Sequence, residues 1–158
     1  MKKILGIAAI AAAAIIPNAL KAQATFPLPE LQKLTEKNAS DFETEMLTKD
    51  YSMQSKLSSP TNKVYTSDKK GAQGRPYTMS RAQVPNAAAV VTFTTSDKKY
   101  YLDLKNQLAS SGFKFVNEEN KTVNGTSAVC HNFTNKVYTV SLYTYTTDVM
   151  WFMVQVHH

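Results

Sequence analysis

Cysteine is almost missing from this chain. Cys130 stands alone among 158 residues, so no intrachain disulfide can form and the fold must rest on its own core. Histidine is scarce too: His131, then His157 and His158 side by side at the end. No Cys or His pair has zinc-finger or zincin spacing, so no metal or other cofactor is expected, and the terminal histidine pair reads as an adventitious metal binder only. The nucleophile-elbow pattern G-x-S-x-G does not occur. Paired catalytic carboxylates have no local signature, and the acids that cluster, Asp41, Glu43 and Glu45, are explained by a helix start, where negative charge is favoured. Beyond the first two dozen residues no apolar run reaches the about 20 residues that a membrane-spanning helix needs.

What stands at the start is an address. Lys2 and Lys3 precede an apolar run from Ile4 to Ile16, Pro17 and Asn18 break it, and Ala22-Gln23-Ala24 offers small residues at signal-peptidase spacing. This is the three-part pattern of a secretory signal peptide over 1–24, with cleavage after Ala22 or Ala24. The expectation is an exported, soluble bacterial protein, periplasmic or extracellular. It is not a lipoprotein, since no cysteine lies near the cleavage site. Removing 24 of the 158 residues leaves 134, which suits one domain over 25–158. Lys2, Lys3 and Lys21 leave with the leader, so the formal charge of +6 falls to 15 basic against 12 acidic residues. That balance is too weak for a nucleic-acid partner, which needs a basic face or stripe.

Helical spacing comes first in the mature chain. Leu31 and Leu34 lie one turn apart, Asn38-Ala39-Ser40 interrupts, and Ser40 with Glu43 fits a capping box. Phe42, Met46 and Leu47 then follow as an apolar face, and the helix ends near Asp50. Strand signals follow at Tyr51–Met53, 63–66 and 76–80, with a polar hairpin loop over 67–75. A stronger strand runs from Ala87 to Thr95. Ser96 can cap a second helical segment to about Ser111, with Tyr101, Leu104 and Leu108 on one face and Gly112 placed for a left-handed C-cap. Four further strands are expected at 113–118, 126–133, 137–145 and 149–156, the first two joined by an Asn124-Gly125 turn.

The fold class is therefore α+β, an antiparallel sheet with two helical segments on one face. Half-repeats over 28–95 and 96–158 would make it a tandem duplication of an α-β-β-β-β unit. Phe42, Met46, Tyr51 and Met53 match Leu104, Leu108, Phe113 and Phe115 at one constant offset. The hexapeptide Thr-Asn-Lys-Val-Tyr-Thr also occurs twice, at 61–66 and 134–139, at a different offset that would need an insertion.

The clearest alternation is in the last strand. Met150, Phe152, Val154 and Val156 are expected under the helices, and Trp151, Met153 and Gln155 on the other side. The neighbouring strand adds Tyr143 and Tyr145, with Thr139 and Ser141, to that second side if Tyr138, Val140 and Leu142 face inward. Tyr143, Tyr145, Trp151 and Met153 form the candidate binding surface, because aromatics give large contact area at little entropic cost. Tyr, Trp and Thr are also ordinary sheet residues, which is the competing explanation. Cys130 and His131 cannot form a dyad on a strand, since neighbours point to opposite faces, and Cys130 is expected to pack beside Ala128. Lys69, Lys70, Gly71, Gly74 and Arg75 resemble a phosphate cradle in composition, but without P-loop spacing or a following helix they read as a solvated hairpin tip. The sequons at Asn120, Asn124 and Asn132 are composition in a chain rich in Thr and Asn.

These features point to a non-catalytic binding module whose partner is a protein or another envelope or extracellular macromolecule. Two other readings stand beside it. One is an inhibitor or immunity-type protein that neutralises an enzyme or toxin; some secreted proteinaceous inhibitors are similar in architecture, though fold does not fix function. The other is a small exported hydrolase whose site is assembled from distant residues.

Overall fold

The computed structural model describes residues 25–147 and 151–158; the expected leader over 1–24 and Met150, expected under the helices, lie outside them. Leu28, Leu31 and Leu34 bury one stripe of α1 (Leu28–Glu36), which has a proline in its first turn where a missing N–H costs nothing. After the joint, α2 (Ala39–Thr48) is capped by Asn38 and not by Ser40. The Asn38 side chain accepts from the Asp41 N–H at 2.9 Å and its amide donates to the Asp41 carboxylate at 2.8 Å. The cap thus sits two residues earlier than expected. Phe42 and Met46 are buried one turn apart, whereas Leu47 is 58% exposed, because one more residue carries it off that face.

The strands are β1 (Tyr51–Met53), β2 (Asn62–Lys70), β3 (Pro76–Ala82), β4 (Val90–Thr95), β5 (Lys114–Val123), β6 (Thr126–Thr134), β7 (Thr139–Tyr145) and β8 (Phe152–His157), with α3 (Lys98–Ser110) between β4 and β5. Ladder pairing carries β2 and β3 into the segment expected as loop, leaving only a short turn at Ala72–Gly74. β4 starts three residues later than Ala87. Asp97, not Ser96, caps α3, accepting from the N–H groups of Lys99 and Tyr100. Gly112 (φ +75°) ends that helix, and the Phe113 N–H closes back on the Leu108 carbonyl at 3.2 Å. At the β5–β6 hairpin, Asn124 (φ 50°) and Gly125 (φ 78°) both take the left-handed region that a two-residue turn requires.

All eight strands form one antiparallel sheet in the order β1-β2-β3-β4-β8-β7-β6-β5. The protein is thus α+β, with three helices in two segments. Consecutive strands pair within β1–β4 and within β5–β8, and the two runs meet where β4 pairs with β8. α3 carries the chain from the middle of the sheet to its far edge. Register places Met79, Phe93, Val154, Leu142 and His131 in one row across the strands, and Val91, Val156, Val140 and Phe133 in the next. The apolar members of these rows join Leu31, Leu34, Phe42, Met46, Leu104 and Leu108 in the main core. The expected inward set Phe152, Val154 and Val156 lies in it. A clamp fixes the entry of the chain: the Tyr100 hydroxyl accepts from the Phe26 N–H at 3.0 Å and donates to the Phe26 carbonyl. Gln107 accepts from the Leu28 N–H at 2.8 Å.

Candidate functional site

Among the described residues no helix packs on the opposite face of the sheet. Tyr143 lies between Cys130 on β6 and Met153 on β8, and Tyr145 lies opposite Ala128. Trp151 precedes Phe152, which faces the helices, so its ring belongs to this second face. The four candidate residues thus share one region, but not equal access. Tyr143 and Met153 are 6% and 7% exposed and form a small cluster with Ala128 and Cys130, against which Val123 and Tyr145 pack. Tyr145 and Trp151 stay half-buried and reach the surface. Cys130 is a free, fully buried thiol beside Ala128, as expected. His131 points to the helix side, its Nε2 2.9 Å from Glu118. On β6, Phe133 lies against the main core, and Ala128 and Cys130 are buried in the small cluster on the other face.

Tyr145 and Trp151 open on a cavity of about 580 Å³ lined also by Arg75, Thr78, Thr94, Val123, Asn124, Thr126 and Thr147. Thr78 on β3 and Thr126 on β6 are four strands apart in the sheet. On a flat sheet four steps of about 4.8 Å would separate them by about 19 Å, roughly twice the width of a round cavity this size. A cavity that spans these strands fits a sheet that twists and curves toward this face, the concave one. The β5–β6 turn forms one wall and the start of β3 the other.

Arg75 supplies the charge. Its guanidinium lies over the Trp151 ring, 4.7 Å from the centroid. No described residue forms an ion pair with it, and among the described residues no carboxylate or histidine lines the cavity. The glycine-containing loop therefore does not act as one unit. Lys69 pairs with Asp50 at 3.4 Å, the Gly71 N–H donates to the Arg75 carbonyl at 2.8 Å, and the Arg75 side chain turns to the sheet.

A polar network borders the cluster. Asn132 accepts from the Ser141 hydroxyl at 2.7 Å and donates to Asn117 at 2.8 Å and Glu119 at 3.0 Å. The Lys121 ammonium and the Asn117 amide hold the Glu119 carboxyl below the usual carboxylate range. Burial, and then the neighbouring Cys130, pushes the Tyr143 hydroxyl up, and that hydroxyl donates to Gln155 at 3.1 Å. These groups are mutually satisfied, so the network stiffens the floor. The cavity itself offers two rings, hydroxyls, an amide and one cation: groups that hold a ligand.

The sequence did not reveal Thr78, Thr94, Asn124, Thr126 or Thr147 as neighbours of Trp151. They come together through the β4–β8 pairing and the curvature, neither of which has a local signal. Comparison with protein-family models, with curated proteins and with solved structures returns no match.

Proposed function

We propose that this protein is an exported, non-catalytic binding module whose concave sheet face takes a segment of a partner protein carrying an acidic side chain. The observation that carries this is the cavity floored by Tyr145 and Trp151 on a face no helix covers. Arg75 gives the chemistry of the partner, because it is a cation at the rim of a lining in which no described residue is an acid. An indole in a partly covered pocket is a favoured anchor at protein interfaces. The inhibitor or immunity-type reading uses the same surface, with an enzyme or toxin as the partner.

The test is capture from the native envelope fraction with the wild-type chain and with Trp151→Ala, Tyr145→Ala and Arg75→Gln. Loss of Trp151 should weaken the captured complex by about 2 kcal/mol or more, roughly thirtyfold. Equal capture by all four proteins would remove the surface from consideration. Turnover of a substrate with no partner captured would favour the hydrolase reading.

Export predicts a mature N-terminus at Gln23 or Thr25, read by N-terminal sequencing; an intact leader would contradict it. The halves 28–95 and 96–158 are proposed as tandem copies. Supporting this, each is a helical segment followed by four strands in meander order. Phe42 and Met46 on α2 also play the part of Leu104 and Leu108 on α3, and Tyr51 and Phe113 follow as buried residues. An alignment of relatives showing no excess identity at this offset would sink the duplication.

A further inference from the structure

A second cavity lies on the other side of the sheet, and its chemistry differs. Arg81 of β3 points to the helix side and is 9% exposed. Its register partners are Val91 on β4 and Lys63 on β2, so the residue directly across on β2 is another cation. Like charges placed opposite each other on paired strands repel. Among the described residues neither Arg81 nor Lys63 has a carboxylate within ion-pair distance. One guanidinium nitrogen, Nη2, donates to the Lys37 carbonyl at 2.9 Å. The Nε–H is buried with no partner. Buried charges are normally paired, because taking them from water without compensation is costly, and an orphaned buried donor calls for an explanation.

The surroundings supply one. Arg81 lines a cavity of about 410 Å³ between the α1–α2 joint, the β3–β4 connection and the end of β8, together with Lys37, Gln83, Ala88 and His158. Glu36, the acid in that lining, is engaged by the Tyr138 hydroxyl. The Lys37 ammonium sits 3.3 Å from Glu45. Glu36, while accepting from that hydroxyl, offsets one cation, Glu45 offsets Lys37, and one positive charge of the Arg81–Lys63 pair is left over. A guanidinium is a planar fork of donors matched to two oxygens of one anion.

We infer that the cavity beside Arg81 is an oxyanion site, which takes a phosphate, a sulfate or the carboxylate of a small ligand. Arg81 makes the principal contact through its guanidinium, Gln83 adds an amide, and Lys63, directly across on β2, adds positive charge from the next strand. The site is independent of the concave face, from which the sheet separates it.

Calorimetric titration of the protein with sodium phosphate, sodium sulfate and sodium acetate, against sodium chloride at matched ionic strength, tests this. The expected result is saturable binding of one anion per chain at millimolar or lower concentration, absent with chloride. Preference for phosphate and sulfate identifies a tetrahedral oxyanion as the ligand; preference for acetate identifies a carboxylate. Arg81→Gln should weaken the binding about tenfold or more. Ala88→Phe fills the cavity with Arg81 in place and should weaken it in the same direction, so the result does not hang on how Arg81→Gln folds. Trp151→Ala should leave it unchanged. No saturable binding to any of the three anions overturns the site. Undiminished binding by both folded variants, or weakening by Trp151→Ala to the same degree, overturns it as well.

Discussion

On the helix side of the sheet, Phe93 is surrounded by rings: Tyr100 at 4.9 Å, Tyr77 at 5.8 Å and Phe26 at 6.1 Å between centroids. On the concave side, the buried Tyr143 and Met153 have only Ala128 and Cys130 as fully covered companions. Helices roof the centre of the first face, so Phe93, Leu142 and Val154 lose contact with water. The second face must close over its own apolar groups with neighbouring side chains, and it succeeds at the centre but not at Trp151. The roofed face thus carries most of the core, and the open face carries the proposed partner site, without a disulfide to share the load.

The division can be broken most sharply at Phe93. Phe93→Ala should cost about 3–5 kcal/mol in urea unfolding, since it opens a void among rings that cannot collapse. A loss no greater than that of a surface change would show that the roofed core does not dominate.

Alkaline pH attacks the same face without mutation. Burial holds the hydroxyls of Tyr51 and Tyr100 well above the ordinary tyrosine range, and in Tyr51 the nearby Tyr100 and Tyr77 add to it. The unfolded chain releases these protons near the ordinary tyrosine value of 10.0, whereas the native state keeps them. Above that pH the unfolded state binds fewer protons, so stability present below it is lost as pH rises. Each residue should contribute a fall of about 1.4 kcal/mol per pH unit, roughly 3 together. Unfolding curves at pH values on both sides of 10, with tyrosinate absorbance as the second readout, would reveal it. Tyrosinate forming without loss of stability would contradict the assignment.

The concave face should respond less. Met153→Ala is expected to cost about 2 kcal/mol, at the low end for a buried methionine, because an unroofed cluster can relax into the gap. Trp151→Ala removes the stacking on Arg75, about 0.5–1 kcal/mol at a partly exposed site, while weakening partner capture roughly thirtyfold. If thermal unfolding shows Trp151→Ala to be as damaging as Phe93→Ala, the two faces do not divide the work.

Much of the sheet was legible because its signals are local. The alternation of β8 put Phe152, Val154 and Val156 on one face; Asn124-Gly125 fixed a hairpin; Gly112 closed α3. Misplaced caps are errors of the same local kind. Ser40 and Ser96 are competent caps, but Asn38 and Asp97 lie where burial of Phe42 and Tyr101 starts each helix. The candidate site was half legible. Tyr143, Tyr145, Trp151 and Met153 do share a region, but which of them water reaches depends on packing against Ala128 and Cys130, and strand alternation does not describe that.

The repeated hexapeptide shows where sequence stops deciding. At 61–66 it leads into β2, with Tyr65 paired to Met79 and its ring 5.7 Å from Phe42. At 134–139 the same six residues form the β6–β7 turn, where the Asn135 side chain accepts from the Val137 and Tyr138 N–H groups at 2.8 and 2.7 Å. The copies do not occupy matching places in the two halves, so the hexapeptide is not evidence of their kinship. By itself the sequence determined element types, the α+β class and the two-sided character of β7 and β8, because side-chain periodicity and turn chemistry act within a few residues. The tertiary structure decided which strands meet at β4–β8, how the sheet curves, and therefore that Arg75, Thr78 and Asn124 share a cavity with Trp151. Those outcomes depend on burying apolar surface between segments far apart in the chain, and no short stretch of residues carries that information.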